Sequence, residues 1–404
     1  MTSRPLHAVL LPAEAAGGRL LEALAAALDG TGPAILPLDP GLPRDRLDAL
    51  LDAFAPATIE TADAVVRLAP AWTPAAPRPG VRPEVAVVIA TSGSTGRPKG
   101  TELSAAALLA SARASLRRIG ARPGERWLCC LPPSHVAGLQ VLVRSLLSGA
   151  APVVTARLTA GTIAAGGCAY ASLVPTQLRR LIDAGGDLAA LRAILLGGAA
   201  IPAGLLTAAS SAGASVVTTY GMSETCGGCV YDGVPLDEVS AQVGDDGRIR
   251  IAGPVLFSGY RLRPDLTALA RDGRWFITSD LGSTDSSGRL LVRGRADDVI
   301  VTGGEKVVAS EVAAVVGTCP GVREAAVVGR PDAEWGEKVT AIVVPADPAD
   351  PPALAAVRAH TRDKLPAYAA PRALVLVTRI PLLPSGKPDL ERLRGQGTDA
   401  GTPA

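Results

Sequence analysis

Between residues 85 and 225 the chain alternates short β-branched runs with stretches of helical composition, and that alternation admits few architectures. "VAVVIA" at 85–90, "RWLCCL" at 126–131, "YASLV" at 170–174, "LRAILL" at 191–196 and "ASVVTTY" at 214–220 read as strands. "SAAALLASARASLRRIG" at 104–120, "HVAGLQVLVRSLL" at 135–147 and "PTQLRRLI" at 175–182 read as helices. Strand, loop and helix in repetition predict an α/β fold with mostly parallel sheets covered by helices. Ligands in such sheets gather beyond the carboxyl ends of the strands. The polar motifs fall there: "TSGSTG" after the first strand, Ser134-His135 after the second, "GGA" at 197–199 and "YGMSE" at 220–224.

The texture changes between about 243 and 301, where short runs are punctuated by "DDG", "RDG" and "DSSG". These are turn signals, and they predict a β-rich subdomain of antiparallel strands. Beyond "RGRADDVIVTGGEK" lie a helical pattern at "SEVAAVVG", strands at "REAAVVG" and "KVTAIVV", and the connector "PADPADPP". The expected division is a large N-terminal domain over 1–295 and a small, mobile α+β domain over 296–404. A chain of 404 residues exceeds what one core of about 250 to 300 residues sustains. The net charge of +2 gives no sign of a nucleic-acid partner. No apolar run approaches the ~20 residues that span a bilayer, and "LHAVLLPAEAAGG" lacks the basic leader of a signal peptide, so membrane insertion is not expected and the cytoplasm is. Six cysteines in so long a chain suit a reducing compartment.

"TSGSTGRPKG" at 91–100 is crowded with hydroxyls and glycines around one of the chain's five lysines. A Walker A loop needs contiguous Gly-Lys-Ser/Thr, whereas Pro98 precedes Lys99 here and Gly100 follows it. The hydroxyls of Thr91, Ser92, Ser94 and Thr95, with backbone N–H groups exposed around Gly93 and Gly96, suit a triphosphate that Lys99 neutralises. The alternative is a flexible glycine/serine turn.

This loop resembles the signature loop of the adenylate-forming superfamily, which includes acyl-CoA synthetases, and further motifs match in order over about residues 85–390. The resemblance implies ATP and Mg²⁺ as cofactors, with coenzyme A as co-substrate. "LPPSHVAGL" resembles the segment that gates the acyl site and places His135 there. "GGA" and "TYGMSE" resemble the adenine-binding pair: Gly198, Ala199, Tyr220 and Gly221 at the base, Ser223 near the phosphate, and Glu224 as the Mg²⁺ ligand. Asp280 in "FITSD" and Arg295 in "RGRADD" resemble the residues at the ribose, and Asp297 the hinge of the small domain. "PLLPSGKPDL" resembles the terminal motif whose lysine, Lys387, bridges the attacking carboxylate and the α-phosphate.

"TCGGCVYDGVPLDEV" at 225–239 follows the adenine motif and is expected to wall the acyl pocket, with Gly227 and Gly228 leaving room for a flat ring. Together with "SHVAGLQVLVRSLLSG" it resembles the branch of the family that ligates o-succinylbenzoate to coenzyme A for menaquinone biosynthesis, in its short actinobacterial form. That acid carries a second carboxylate, and Arg144 is the candidate partner; a solvent-facing arginine is the competing reading. Cys226 and Cys229 form a C-x-x-C without a second matching pair, which argues against a closed metal site. Two other functions stay open: an aryl-acid adenylating enzyme that loads a carrier protein, and a silent nucleotide-binding homologue. Monomer and homodimer both remain open.

Overall fold

The computed structural model describes residues 3–12, 16–68, 79–92, 98–202, 204–382 and 388–395. The chain divides into two compact units. The first comprises Met1–Gly198, Thr207–Gln242 and Arg250–Ile277; the second comprises Ala199–Leu206, Val243–Ile249 and Thr278–Ala404.

Two seven-stranded sheets build the first unit. One contains β1 (Leu6–Val9), β2 (Ala34–Pro37), β3 (Thr58–Glu60), β4 (Val65–Arg67), β5 (Val85–Ser92) and β6 (Pro98–Ser104). Its order is β6-β5-β2-β1-β3-β4, with the two-residue strand Gly259–Tyr260 added outside β6. The other contains β7 (Trp127–Cys129), β8 (Val153–Val154), β9 (Tyr170–Leu173), β10 (Ala193–Gly197), β11 (Val216–Met222), β12 (Gly227–Tyr231) and β13 (Val234–Pro235), in the order β13-β12-β11-β10-β9-β7-β8. Strands β7 to β11 pair in parallel, and β12 turns back antiparallel on β11.

The strand–helix alternation is thus realised, with two differences from the sequence expectation. The run from 85 to 225 is split between two sheets. The phosphate-loop candidate also does not lead from a strand into a helix: β6 intervenes and pairs antiparallel with β5, Thr91 opposite Lys99 and Ser92 opposite Pro98. Only then does Ser104 accept from the Ala107 N–H at 3.1 Å and open the Ala105–Arg118 helix. "PKGTELS" is too polar to announce a strand, yet Thr101, Glu102 and Leu103 within it are buried.

The helices Ala105–Arg118 and Val136–Ser148 share one core with both sheets, Leu108, Ala112, Leu139 and Val143 packing with Ile35, Val87, Ile89, Trp127 and Leu195. The second helix rests on the loop before it through Gly138, where an added Cβ would lie 2.4 Å from the carbonyl oxygens of both Leu131 and Pro132. That approach seats His135 at the helix N-cap.

The strand Trp275–Thr284 begins in the first unit and ends in the second, where it pairs antiparallel with Leu290–Arg295. The second unit also holds a sheet in the order Glu305–Val308, Val299–Thr302, Gly336–Pro345, Val322–Asp332, with Ala373–Leu376 parallel to Gly336–Pro345. Val312, Val316 and Val357 from the helices Ala309–Val316 and Leu354–Arg362 pack with Val339 and Val343, while Ile342, Val344, Ile380 and Leu393 form a separate apolar cluster.

Gly138→Ala separates two effects. Helix propensity alone favours alanine by up to about 1 kcal/mol. The backbone contacts reverse the sign, and we expect a net loss of roughly 1 to 3 kcal/mol in urea unfolding.

Candidate active site

The hairpin of β5 and β6 brings Thr91 across from Lys99, and the Thr91 hydroxyl donates to the Lys99 carbonyl at 3.2 Å. Gly93, Ser94, Thr95 and Gly96 lie outside the described residues, as does the side chain of Ser92. The Lys99 ammonium sits 5.6 Å from the centroid of the Tyr260 ring.

Glu224 occupies the turn between β11 and β12. The two strands cross so closely there that a Cβ on Gly221 would lie 2.0 Å from the Gly227 carbonyl oxygen. A single 3₁₀ turn, Ser223–Thr225, follows; the Thr225 hydroxyl accepts from the Met222 N–H at 2.9 Å, and Cys226 leaves in the left-handed region at φ 52°. Phe257 N–H donates to the Glu224 carbonyl at 2.8 Å, and the Tyr260 hydroxyl donates to Glu224 Oε1 at 2.8 Å. Burial first, and then the adjacent Glu224, push the Tyr260 hydroxyl well above its ordinary pKa, so it acts as a donor. No other hydrogen bond to this carboxylate occurs among the described residues, which leaves Oε2 available. A half-buried carboxylate with one oxygen anchored and one open suits Mg²⁺, which commonly takes one or two carboxylates and completes its shell with phosphates and water. Among the described residues no group of three or more His, Cys, Asp or Glu is arranged to hold a metal by itself. Tyr260 was not legible in the sequence: a two-residue strand has no periodicity to read.

His135 is exposed at the N-cap of the Val136–Ser148 helix, with its N–H bonded to the Pro132 carbonyl at 3.0 Å. Gln140, one turn on, reaches the other side of the Glu224 turn, donating to the Cys226 carbonyl at 2.8 Å. Gly227 faces this side chain, its missing Cβ 3.3 Å from Gln140 Cγ. Gly228 packs against Tyr231 and Thr219, at 2.9 and 3.3 Å from an added Cβ.

Arg144 is buried, which overturns the solvent-facing reading. Its guanidinium lies 4.3 Å from the Trp127 ring centroid and donates to the hydroxyls of Ser172 at 2.8 Å and Ser115 at 3.5 Å. Among the described residues no acid pairs with it, and its Nε and the neighbouring Gln140 Oε1 are buried without a hydrogen-bond partner. Burial pulls the guanidinium below its ordinary pKa.

Tyr220 and Gly221 lie in β11 just before its last residue, Met222, Ser223 opens the 3₁₀ turn, and Gly198 follows β10 with φ 80°. Ala199 begins the second unit. There Asp280 stands directly opposite Arg295 across two paired strands. Arg295 reaches Asp280 at 3.5 Å and Asp297 at 2.8 Å. Partial burial works against its charge, but Asp297, Asp280 and Asp298 outweigh that and raise its pKa. Lys387 lies outside the described residues.

Residues 33–261 match the family described as AMP-binding enzyme, and 311–387 match the AMP-binding enzyme C-terminal domain. The chain belongs to the AMP-binding enzyme family. Its relatives include the probable 2-succinylbenzoate–CoA ligase of Mycobacterium tuberculosis (strain CDC 1551 / Oshkosh), 47% identical over 320 residues, which are 76% of this chain and 83% of the relative. The 2-succinylbenzoate–CoA ligase of Listeria monocytogenes serotype 4b is 31% identical over 76% of this chain and 69% of its own. Among solved structures, the o-succinylbenzoate CoA synthetase of Bacillus subtilis in complex with the acyl-adenylate intermediate superposes with a TM-score of 0.81 at 26% identity, covering 99% of this chain and 89% of that one. The two matches give this AMP-binding enzyme a longer N-terminal family segment and a shorter C-terminal one.

The cysteines of this AMP-binding enzyme are free and buried. Burial pushes the thiols of Cys129, Cys130 and Cys229 up to about 12, and raises Cys226 as well. At such a value only about one thiol in ten thousand is thiolate at pH 8. We expect Ellman's reagent to titrate less than about one thiol per chain before unfolding and all six after it.

Proposed function

We propose that the chain is an ATP-dependent acid–thiol ligase that converts o-succinylbenzoate to o-succinylbenzoyl-CoA through an acyl-adenylate, in menaquinone biosynthesis. The observation that carries the choice of acid is the 47% identity to the mycobacterial ligase, extending over most of both chains. A cytoplasmic site of action agrees with six free thiols.

In the first half-reaction a substrate carboxylate oxygen attacks the α-phosphorus of ATP; the new P–O bond forms as the bond to the β-phosphate bridge breaks, and pyrophosphate leaves. Two anions meet, so the barrier is electrostatic. Lys99, with the hydroxyls of Thr91, Ser92, Ser94 and Thr95 and the N–H groups around Gly93 and Gly96, neutralises the phosphates. Bound at Glu224, Mg²⁺ supplies further charge neutralisation there. Tyr220 stacks on adenine beside Gly198, Ala199 and Gly221, and Ser223 approaches the α-phosphate. Asp280 receives the ribose hydroxyls, and its pairing with Arg295 supports that role by orienting the carboxylate. Lys387 bridges the attacking carboxylate and the α-phosphate. In the second half-reaction the thiol of coenzyme A attacks the acyl carbon and AMP departs, with Asp297 as the hinge that separates the two steps.

His135, Gly227 and Gly228 bound the acyl site. Arg144 takes the second carboxylate: a buried cation that, among the described residues, is held by hydroxyls and an aromatic face is suited to an incoming anion.

Incubating the protein with ATP, Mg²⁺, o-succinylbenzoate and free coenzyme A is expected to yield AMP, pyrophosphate and the thioester. ADP and phosphate as products would sink the reaction class, and failure of free coenzyme A with success of a carrier protein would reassign the acceptor. Lys387→Ala should abolish adenylation while sparing thioester formation from supplied acyl-adenylate; equal loss in both contradicts its role. Arg144→Met keeps most of the volume and removes the charge. It should lower kcat/KM for o-succinylbenzoate by roughly 10- to 100-fold, equivalent to about 1.5 to 3 kcal/mol, and leave KM for ATP unchanged. An analogue without the second carboxylate should show no comparable loss.

A further inference from the structure

Tyr260 touches both charges that the proposed reaction assigns to the triphosphate. Its hydroxyl holds Glu224 Oε1 at 2.8 Å, and its ring carries the Lys99 ammonium at 5.6 Å. Among the described residues no ion pair joins Lys99 to Glu224, although both meet the same side chain. The position of that side chain is closely determined. Its backbone pairs with Thr101 of β6, its N–H donates to the Thr267 hydroxyl at 2.8 Å, and the flanking Ser258 and Arg261 N–H groups donate to Glu102 and Gly100 carbonyls at 2.8 and 2.7 Å. Phe257, three residues earlier, binds the Glu224 carbonyl. The segment Phe257–Arg261 therefore grips the return strand of the phosphate hairpin with one set of bonds and the Glu224 turn with another.

We infer that Tyr260 is a positioning residue that orients the Glu224 carboxylate toward the metal and keeps Lys99 from neutralising it before nucleotide arrives; this rests on the assignment of Glu224 as the metal ligand. One oxygen is committed to the phenol, so rotation of the carboxylate is restricted and Oε2 is presented. The ring acts as a spacer: a cation on its face and an anion at its rim are held in reach of one polyphosphate without pairing. The hydroxyl serves only metal-linked binding, whereas the ring serves phosphate binding with or without metal.

Calorimetric binding of ATP, without acid substrate or coenzyme A so that no turnover occurs, separates these roles. Tyr260→Phe is expected to weaken binding of ATP with Mg²⁺ by about tenfold and to leave binding in EDTA unchanged. Tyr260→Leu should weaken both. In a Glu224→Gln background, Tyr260→Phe should add no further metal-selective loss. If the phenylalanine variant does not fold, Thr267→Ala, which loosens the Tyr260 backbone and spares its ring, should give the same metal-selective loss at smaller size. Equal weakening with and without Mg²⁺, or none in either, overturns the inference. A wild-type protein that binds ATP equally well with and without Mg²⁺ would instead overturn the metal role of Glu224.

Discussion

A 2.8 Å hydrogen bond from the Tyr260 hydroxyl to Glu224 links the ends of two sheets that also share one apolar core. Tyr260 extends the edge of one sheet, and Glu224 sits in the turn of the other. The turn is held from further directions, with Phe257 on the Glu224 carbonyl and both Gln140 and Ser111 on the Cys226 carbonyl at 2.8 and 3.0 Å. A left-handed, non-glycine residue at 226 carries backbone strain that a lone turn would relax. Here both neighbouring carbonyls are committed, so relaxing it would leave buried donors without partners. The geometry around Glu224 is in this sense a property of four separate chain segments.

Two buried arginines show how differently one residue type is accommodated. Arg261 places its guanidinium on the carbonyls of Phe54, Pro79 and Gly80 and lies 3.6 Å from Glu102, so its charge is satisfied by the fold and closes the first sheet around its edge. Arg144 has two hydroxyls and the face of Trp127, and among the described residues no acid. Removing a guanidinium from water costs several kcal/mol in effective terms, and hydroxyls with an aromatic ring repay only part of it. The first arrangement is complete as a structural device. The second leaves a charge to be balanced, and that is why Arg144 is the residue proposed for the second carboxylate.

The residues proposed for the nucleotide also differ in how they are placed. In the first unit the turn that carries Glu224 depends on backbone approach, with glycine required where strands cross at Gly221. In the second unit the pair proposed for the ribose, Asp280 opposite Arg295, depends on cross-strand register, and any antiparallel ladder positions such a pair within reach. Strand register alone is enough to assemble that pair.

The strands and helices of 85–225, the β texture that follows, and the order of the polar motifs were legible because each depends on residues near in sequence: periodicity, turn glycines, a hydroxyl at a helix cap. Lys99, Glu224, Asp280 and Arg295 stood out for the same reason, since each lies inside a short motif. Non-local pairing was not legible. Nothing in "PKGTELS" announces a strand that folds back on β5, because its burial comes from Phe54 and Arg261, remote in the chain, as well as from Val88 on β5 itself. Arg144 could be placed on a helix but not on a face, because its burial depends on Trp127, Ser115 and Ser172 from three other elements. Tyr260 carries no local signal at all, and its role arises from a two-residue ladder that brings position 260 beside position 101. Local periodicity and motif spacing travel with the chain, whereas the direction a side chain faces is set by whichever distant segments close around it.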